Sequence, residues 1–186
     1  MNFENLFRVD IYDSPLGYLL MESDGRYLTG LNFFDDSVDG IDKNPQRNSI
    51  NDNYSEIFDG TKRWLDVYFS GECPNFILPV HLSGTGFQKC VYEVLLTIPF
   101  GKVMTYGDLA KKVAKKRGMT KMSAQAVGHA NSLNPIGIIV PCHRVVGSDG
   151  KLVGYAGGLD KKAELLRNEG VDIDNLDKFR VRIGED

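Results

Sequence analysis

Residues 105–145 read TYGDLAKKVAKKRGMTKMSAQAVGHANSLNPIGIIVPCHRV, and this stretch decides how the chain is to be understood. Leu109, Ala110 and Val113 fall on one face at helical spacing, which predicts a short basic helix over 106–116, broken by Gly118. Ser123 can cap a second helix over 124–133, built of small residues. Two short helices joined by a glycine-containing turn outline a helix-turn-helix, an outline that many helical pairs share. The apolar run 136–140 then predicts a short buried strand leading into Pro141, Cys142 and His143. A thiol and an imidazole stand side by side there. The thiolate is the reactive form of cysteine, and a neighbouring imidazole or positive charge favours it. Cysteine also packs as a small inert core residue, so the pair alone leaves both readings open.

Charge is distributed unevenly around this stretch. The 186 residues carry a net charge of −3, with 42% hydrophobic and 25% charged residues, an ordinary balance for a globular protein. Residues 1–84 hold 6 basic and 14 acidic side chains, whereas 85–186 hold 16 basic and 11 acidic. The segment from Lys102 to Lys121 alone has seven basic residues against one acid, Asp108. Such asymmetry suits a polyanion-binding second half. A solvated face of Lys111, Lys112, Lys115, Lys116 and Arg117 would look the same by charge alone. No run of about 18 apolar residues predicts a membrane span, and residues 1–10 lack an apolar signal core. Three widely spaced cysteines, Cys73, Cys90 and Cys142, match neither a disulfide framework nor a zinc site. A reducing cytoplasm is the compartment expected, with no metal bound.

Working outward, residues 7–12, 18–21 and 27–34 predict strands, joined by a turn at 14–17 and by Asp24-Gly25. Residues 35–53 predict a polar loop. Ile57, Phe58, Trp64, Leu65, Tyr68 and Phe69 predict an amphipathic helix over 54–69, and 76–82 predicts a further strand. Residues 83–86 are the expected linker. A helix over 87–98 is expected to stop at Pro99 and Gly101. Residues 154–158 form a glycine-rich loop. Asp160 is expected to cap a last helix over 161–169, ended by Gly170. The domains expected are 1–83 and 84–172, followed by a polar tail over 173–186.

Residues 87–170 resemble the O6-alkylguanine-DNA alkyltransferases. The resemblance rests on Phe87-Gln88, Ile98-Pro99-Phe100-Gly101, Thr105 to Ala110, Ala126-Val127-Gly128, Asn134-Pro135, Pro141 to Val146, and Gly154 to Leu159 with Lys162, Leu165, Leu166 and Glu169. The N-terminal half matches more loosely, chiefly at Ser14-Pro15-Leu16-Gly17. The fold class this implies is α/β: a small RNase-H-like α/β N-terminal domain, then a mainly helical winged helix-turn-helix-like C-terminal domain. The function implied is single-turnover repair of DNA, with the alkyl group moved from O6 of guanine onto the protein's own cysteine. O4-alkylthymine stays open as a second substrate. No cofactor is implied, because the thioether formed is stable and ends the reaction.

The same resemblance assigns roles. Cys142 is the acceptor, His143 its base through a bound water, and Glu169 the carboxylate that orients the imidazole. Tyr106 donates to the base, and Asn134 ties the helix-turn-helix to the active-site segment. Tyr155, Ala156 and Gly157 line the substrate, with fixed donors aimed at the charge developing on O6. The carbonyls of Cys142 and Val145 accept from the guanine amino group. The partner implied is double-stranded alkylated DNA, entered through its minor groove by a monomer that flips the base out. Lys121, Ser123, Gln125, Ala126 and Gly128 are the expected DNA contacts, with Tyr106 helping to turn the nucleotide. Gln125 stands where the family commonly has the arginine that fills the emptied stack; glutamine lacks its charge and cation–π stacking. His129 and Asn131 also depart from the common pattern, and His81 alone does not make the zinc site some members carry. A non-catalytic damage sensor would lack the cysteine, and a thiol hydrolase would leave the basic helix pair without purpose.

Overall fold

The computed structural model describes residues 8–34 and 52–181. The expected loop at 35–53 therefore lies almost wholly outside the described residues. The chain divides into two compact units between Leu82 and Ser83.

The first unit is a three-stranded antiparallel sheet of β1 (Arg8–Ser14), β2 (Gly17–Ser23) and β3 (Leu28–Phe33), in the order β1-β2-β3. Ser14 pairs with Gly17 across the first turn, where the Ser14 hydroxyl donates to the Gly17 carbonyl. Strand β2 shows the period of two that its sequence requires: Leu19, Met21 and Ser23 are buried. Helix α1 (Asp52–Phe69) lies across the sheet and buries Ile57, Phe58, Thr61, Leu65 and Tyr68, spaced by three and four residues. The expected strand over 76–82 does not form. A single parallel bridge joins Val80 to Leu28, carried by bonds from Leu28 N–H to the Pro79 carbonyl and from His81 N–H to the Leu28 carbonyl. Leu78 is buried, but Pro79 has no N–H to give a ladder and Ile77 is 97% exposed, so the segment makes one bridge and does not extend it.

The second unit begins with α2 (Gly86–Leu95). Thr85 and Gln88 form a reciprocal capping box, so the expected linker ends in a helix start signal. Helix α2 stops at Leu95, three residues short of the expectation, with Leu96 as its C-cap. Strand β4 (Met104–Thr105) leads directly into α3 (Tyr106–Lys116), and α4 (Ala124–Ser132) follows. Thr105 caps α3 and Ser123 caps α4, each accepting from a backbone N–H three residues on. Leu109, Ala110, Val113 and Ala114 are buried from α3, and Val127, Ala130 and Asn131 from α4.

Residues 136–140 are not the expected strand. Val140 N–H bonds to the Ile136 carbonyl, and Ile138 sits at φ 67°. The apolar side chains Ile136, Ile138 and Val140 are nonetheless fully buried. A buried turn and a buried strand share one apolar composition, so composition alone does not separate them. A 3-10 turn over Cys142–Arg144 follows, then β5 (Val145–Val146), which pairs in parallel with β4. Helix α5 (Leu159–Asn168) starts two residues before the expected position. Its N-cap is Gly158 at φ 91° with no side-chain cap, and Asp160 lies inside the first turn, where its charge favours the helix dipole.

Within the expected polar tail, residues 173–181 pack against the second unit. Ile173–Phe179 is a 3-10 segment whose Leu176 is buried with Val103, Val146, Leu166 and Val171. Val103 N–H bonds to the Phe179 carbonyl, and Val181 N–H to the Val103 carbonyl. The second unit thus carries this C-terminal segment in its core.

Candidate active site

The 3-10 turn places Cys142 at its first position, with the thiol side chain only 7% exposed. His143 and Arg144 follow, both buried. Glu169, the C-cap of α5, meets both of them. Its Oε1 lies 2.7 Å from His143 Nε2. The Arg144 guanidinium donates through Nε to Oε2 at 2.9 Å and through Nη2 to Oε1 at 3.1 Å, a two-pronged grip on the carboxylate. Its Nη1 donates to the Ile98 carbonyl at 2.7 Å, and Gly101 N–H donates to Glu169 Oε2 at 3.0 Å. Gly101 has φ 71°, and a Cβ there would stand 3.0 Å from the Glu169 carbonyl oxygen, so this close approach needs glycine.

Charge in this buried group settles in one pattern. Burial alone would raise the Glu169 pKa, but His143 and Arg144 outweigh it and bring it down to about 2. Burial lowers the His143 pKa, the positive charges of Arg144 and Lys162 add to that, and Glu169 opposes it. At neutral pH the group therefore holds a carboxylate, a guanidinium and a neutral imidazole. A neutral imidazole with Nε2 donating to a carboxylate is a base through Nδ1. Burial pushes the Cys142 thiol pKa up, while the Asn134 amide and the Lys162 charge oppose it. A thiol in that setting needs a base beside it to react at neutral pH.

Asn134 follows α4 and donates through Nδ2 to the carbonyls of Val140, at 2.8 Å, and Ile136, at 3.3 Å; its Oδ1 accepts from Ile136 N–H at 3.1 Å. One side chain thus closes the turn that delivers Cys142. Tyr106, the first residue of α3, donates to the Gly154 carbonyl at 3.5 Å. Its hydroxyl pKa is raised by burial and by the Cys142 charge, with the Asn131 amide opposing. Tyr155 is raised further, for the same first two reasons. Both phenols therefore stay protonated and can donate. Ala156 is exposed and Gly157 half-buried in the same loop.

Two residues quoted in the sequence motifs, but given no role from them, prove central. One is Arg144. The other is Lys162 on α5, whose fully buried ammonium donates to the carbonyls of Val145 at 2.6 Å, Val153 at 2.6 Å and Gly154 at 3.2 Å. It pins the glycine-rich loop to the strand after Cys142. Burial lowers its pKa to about 8, with the Cys142 charge opposing, so it remains charged at neutral pH. A signal for both Lys162 and Glu169 existed in the sequence: they share the α5 face of Leu165 and Leu166 by spacings of three, four and seven. Lys162→Met is expected to strand three carbonyls and lower stability by about 2–3 kcal/mol. Thermal unfolding should then show a midpoint roughly 5–10 °C lower.

The expected DNA contacts fall on two surfaces. Lys121, Ser123 and Gln125 are exposed at the entry and first turn of α4, while Ala126 and Gly128 are half-buried. Gly128 faces the Tyr106 ring: a Cβ there would stand 3.5 Å from it. On α3, Lys111 pairs with Asp108 and Lys116 with Glu93, both at 2.9 Å, which engages two of the seven basic groups within the protein. Arg117 lies over the Phe87 ring at 5.5 Å.

The second unit thus joins a buried thiol, followed in the chain by a buried imidazole–carboxylate–guanidinium group, to the helix pair α3 and α4. The family comparisons make that specific. Residues 86–171 match the DNA binding domain of 6-O-methylguanine DNA methyltransferase, and residues 8–82 match its ribonuclease-like domain. The methylated-DNA–protein-cysteine methyltransferase of Methanosarcina acetivorans is 40% identical over 163 residues, 86% of this chain and 96% of the relative. The protein of that name from Mycobacterium leprae is 41% identical over 159 residues, 84% and 88% of the two chains. The crystal structure of Mycobacterium tuberculosis OGT in complex with DNA superposes with a TM-score of 0.70 at 36% identity, covering 90% of this chain and 98% of that one. The chain belongs to the O6-methylguanine-DNA methyltransferase family.

Proposed function

We propose that this protein removes alkyl groups from O6 of guanine in double-stranded DNA by transferring them, once and irreversibly, to Cys142. The observation that carries the assignment is the buried His143–Glu169–Arg144 group that follows the buried Cys142 on the same 3-10 turn. The Cys142 proton passes to the His143 imidazole, and Glu169, kept ionised by Arg144, stabilises the imidazolium that results. The sulfur attacks the alkyl carbon, a C–S bond forms and the C–O6 bond breaks. The bonding pair stays with guanine, which leaves as an anion and takes up the proton. Tyr106 and the Tyr155–Ala156 loop supply donors to that charge. The product is a thioether with no leaving route.

DNA supplies the substrate by base flipping, since O6 is out of reach inside the duplex. We place α4 in the minor groove, with Ser123, Gln125, Ala126 and Gly128 towards the bases and Lys121 towards phosphate, on a monomeric protein acting in the cytoplasm. Gln125 is exposed and can enter the stack, but it brings no charge. Gln125→Arg is expected to tighten duplex binding by roughly 3- to 10-fold and to steepen its salt dependence by about one counterion. Fluorescence anisotropy across a salt series measures both; unchanged or weaker binding would remove Gln125 from the interface.

The assignment as a whole is tested by stoichiometry. With a duplex containing O6-methylguanine in excess, repair should stop at one methyl per protein. Continued turnover would show that the alkyl group is passed on and that the thioether is not the end point.

A further inference from the structure

Tyr106 and Asn131 meet across the helix pair. Tyr106 opens α3, while Gly128 and Asn131 stand three residues apart on α4 and so share one helix face. Both act on Tyr106. Gly128 faces the ring, where a Cβ would stand 3.5 Å away, and the Asn131 amide acts on the hydroxyl. Burial and the Cys142 charge raise the Tyr106 pKa, and a hydrogen bond from the Asn131 side chain opposes them. An amide opposes them in this way when its N–H donates to the phenol oxygen. Asn131 is 3% exposed, and its Nδ2 also donates to the Cys142 carbonyl at 3.4 Å. An amide nitrogen carries two hydrogens, one for each of these acceptors. The Tyr106 hydrogen itself has only a long contact, to the Gly154 carbonyl at 3.5 Å.

We propose that Asn131 is a positioning residue for Tyr106: its Nδ2 bridges the Cys142 carbonyl and the Tyr106 hydroxyl oxygen, and so aims the hydroxyl hydrogen at the flipped base. This rests on the assignment of Cys142 as the alkyl acceptor and of Tyr106 as a donor to guanine. A hydroxyl has one hydrogen and two lone pairs. With a lone pair engaged by Asn131, the hydrogen points away from that amide, and the long Gly154 contact is readily exchanged for the base. Catalytic hydrogen bonds of this kind tighten when substrate arrives. A hydroxyl that accepts one bond also donates a stronger one, so the charge gathering on the departing guanine meets a better donor. One buried side chain thereby ties the donor to the backbone of the nucleophile.

The test is a double-mutant cycle on the single-turnover transfer rate, measured at saturating O6-methylguanine duplex. Asn131→Leu fills a similar space without a donor. It should slow transfer by about five- to tenfold, the value of one well-placed hydrogen bond, with duplex binding within about twofold of wild type. Tyr106→Phe keeps the ring against Gly128 and removes the hydroxyl. In that background Asn131→Leu should change the rate by less than about twofold, because the bond it removes is already gone. Asn131→Ser, whose shorter side chain draws the donor away from Tyr106, should repeat the pattern and serves if the leucine variant does not fold. Equal slowing in both backgrounds would show that Asn131 only supports the Cys142 turn, and would overturn the proposal. So would Asn131 variants that transfer as fast as wild type. Failure of the underlying assignment looks different: Cys142 of the wild type would remain unmethylated by the same duplex.

Discussion

Cys142→Ser is expected to abolish methyl transfer, with a rate loss beyond roughly 10⁴-fold, while duplex binding stays within about twofold of wild type. Transfer needs a soft nucleophile attacking a saturated carbon. A serine hydroxyl ionises far less readily than a thiol, and the site already disfavours the anion: burial pushes even the thiol pKa up. His143, held neutral, cannot make up that difference. Binding should survive because Cys142 is 7% exposed and carries no charge in its resting form. Single-turnover kinetics and anisotropy on the same preparation separate the two effects. Retained transfer in the serine variant would move the acceptor to another residue.

The second large effect is expected at Glu169. Glu169→Gln leaves the Arg144 guanidinium buried without its counter-charge, and breaking such a pair costs about 3–5 kcal/mol. Transfer should also slow on the order of 10²-fold, because the imidazolium formed on His143 loses its stabilising carboxylate. Wild-type stability should show the same group through pH. The folded pKa of Glu169, about 2, lies below its ordinary value of 4.5. Its contribution is therefore fully present above pH 4.5 and is lost as pH falls towards 2, amounting to about 3 kcal/mol. Chemical denaturation between pH 6 and pH 2.5 should show a steeper loss for wild type than for Glu169→Gln. Parallel curves would mean that the carboxylate is not held by Arg144 and His143.

The helix pair was legible because local signals and burial agreed there. Leu109, Ala110 and Val113 gave α3 its face, and Ser123 marked the start of α4. Strands β1 to β3 were legible through alternation and the turn at Ser14–Gly17. The expectations that failed did so for separate local reasons. The run 136–140 has strand composition, but the Asn134 side chain takes up its carbonyls and holds it in a turn. Asp160 looked like a cap, yet Gly158 at φ 91° starts α5 without one. Leu176 was lost among polar neighbours, because a single buried residue gives no period to read.

The candidate site was legible in parts for a different reason. Cys142, His143, Glu169, Tyr106 and Asn134 stand in motifs whose order and spacing carry them. Arg144 and Lys162 stand in the same motifs but receive no role there, since sequence alone does not report that a cation is buried. The structure shows what each one faces: a carboxylate for Arg144 and three carbonyls for Lys162.

The central claim is that Cys142 is consumed. The protein incubated with a duplex containing one O6-methylguanine, digested and mapped by mass spectrometry, should carry a single added methyl group on the peptide containing Cys142, with guanine restored in the DNA. Restored guanine with an unmodified Cys142, or a methyl group on Cys73 or Cys90, would contradict it.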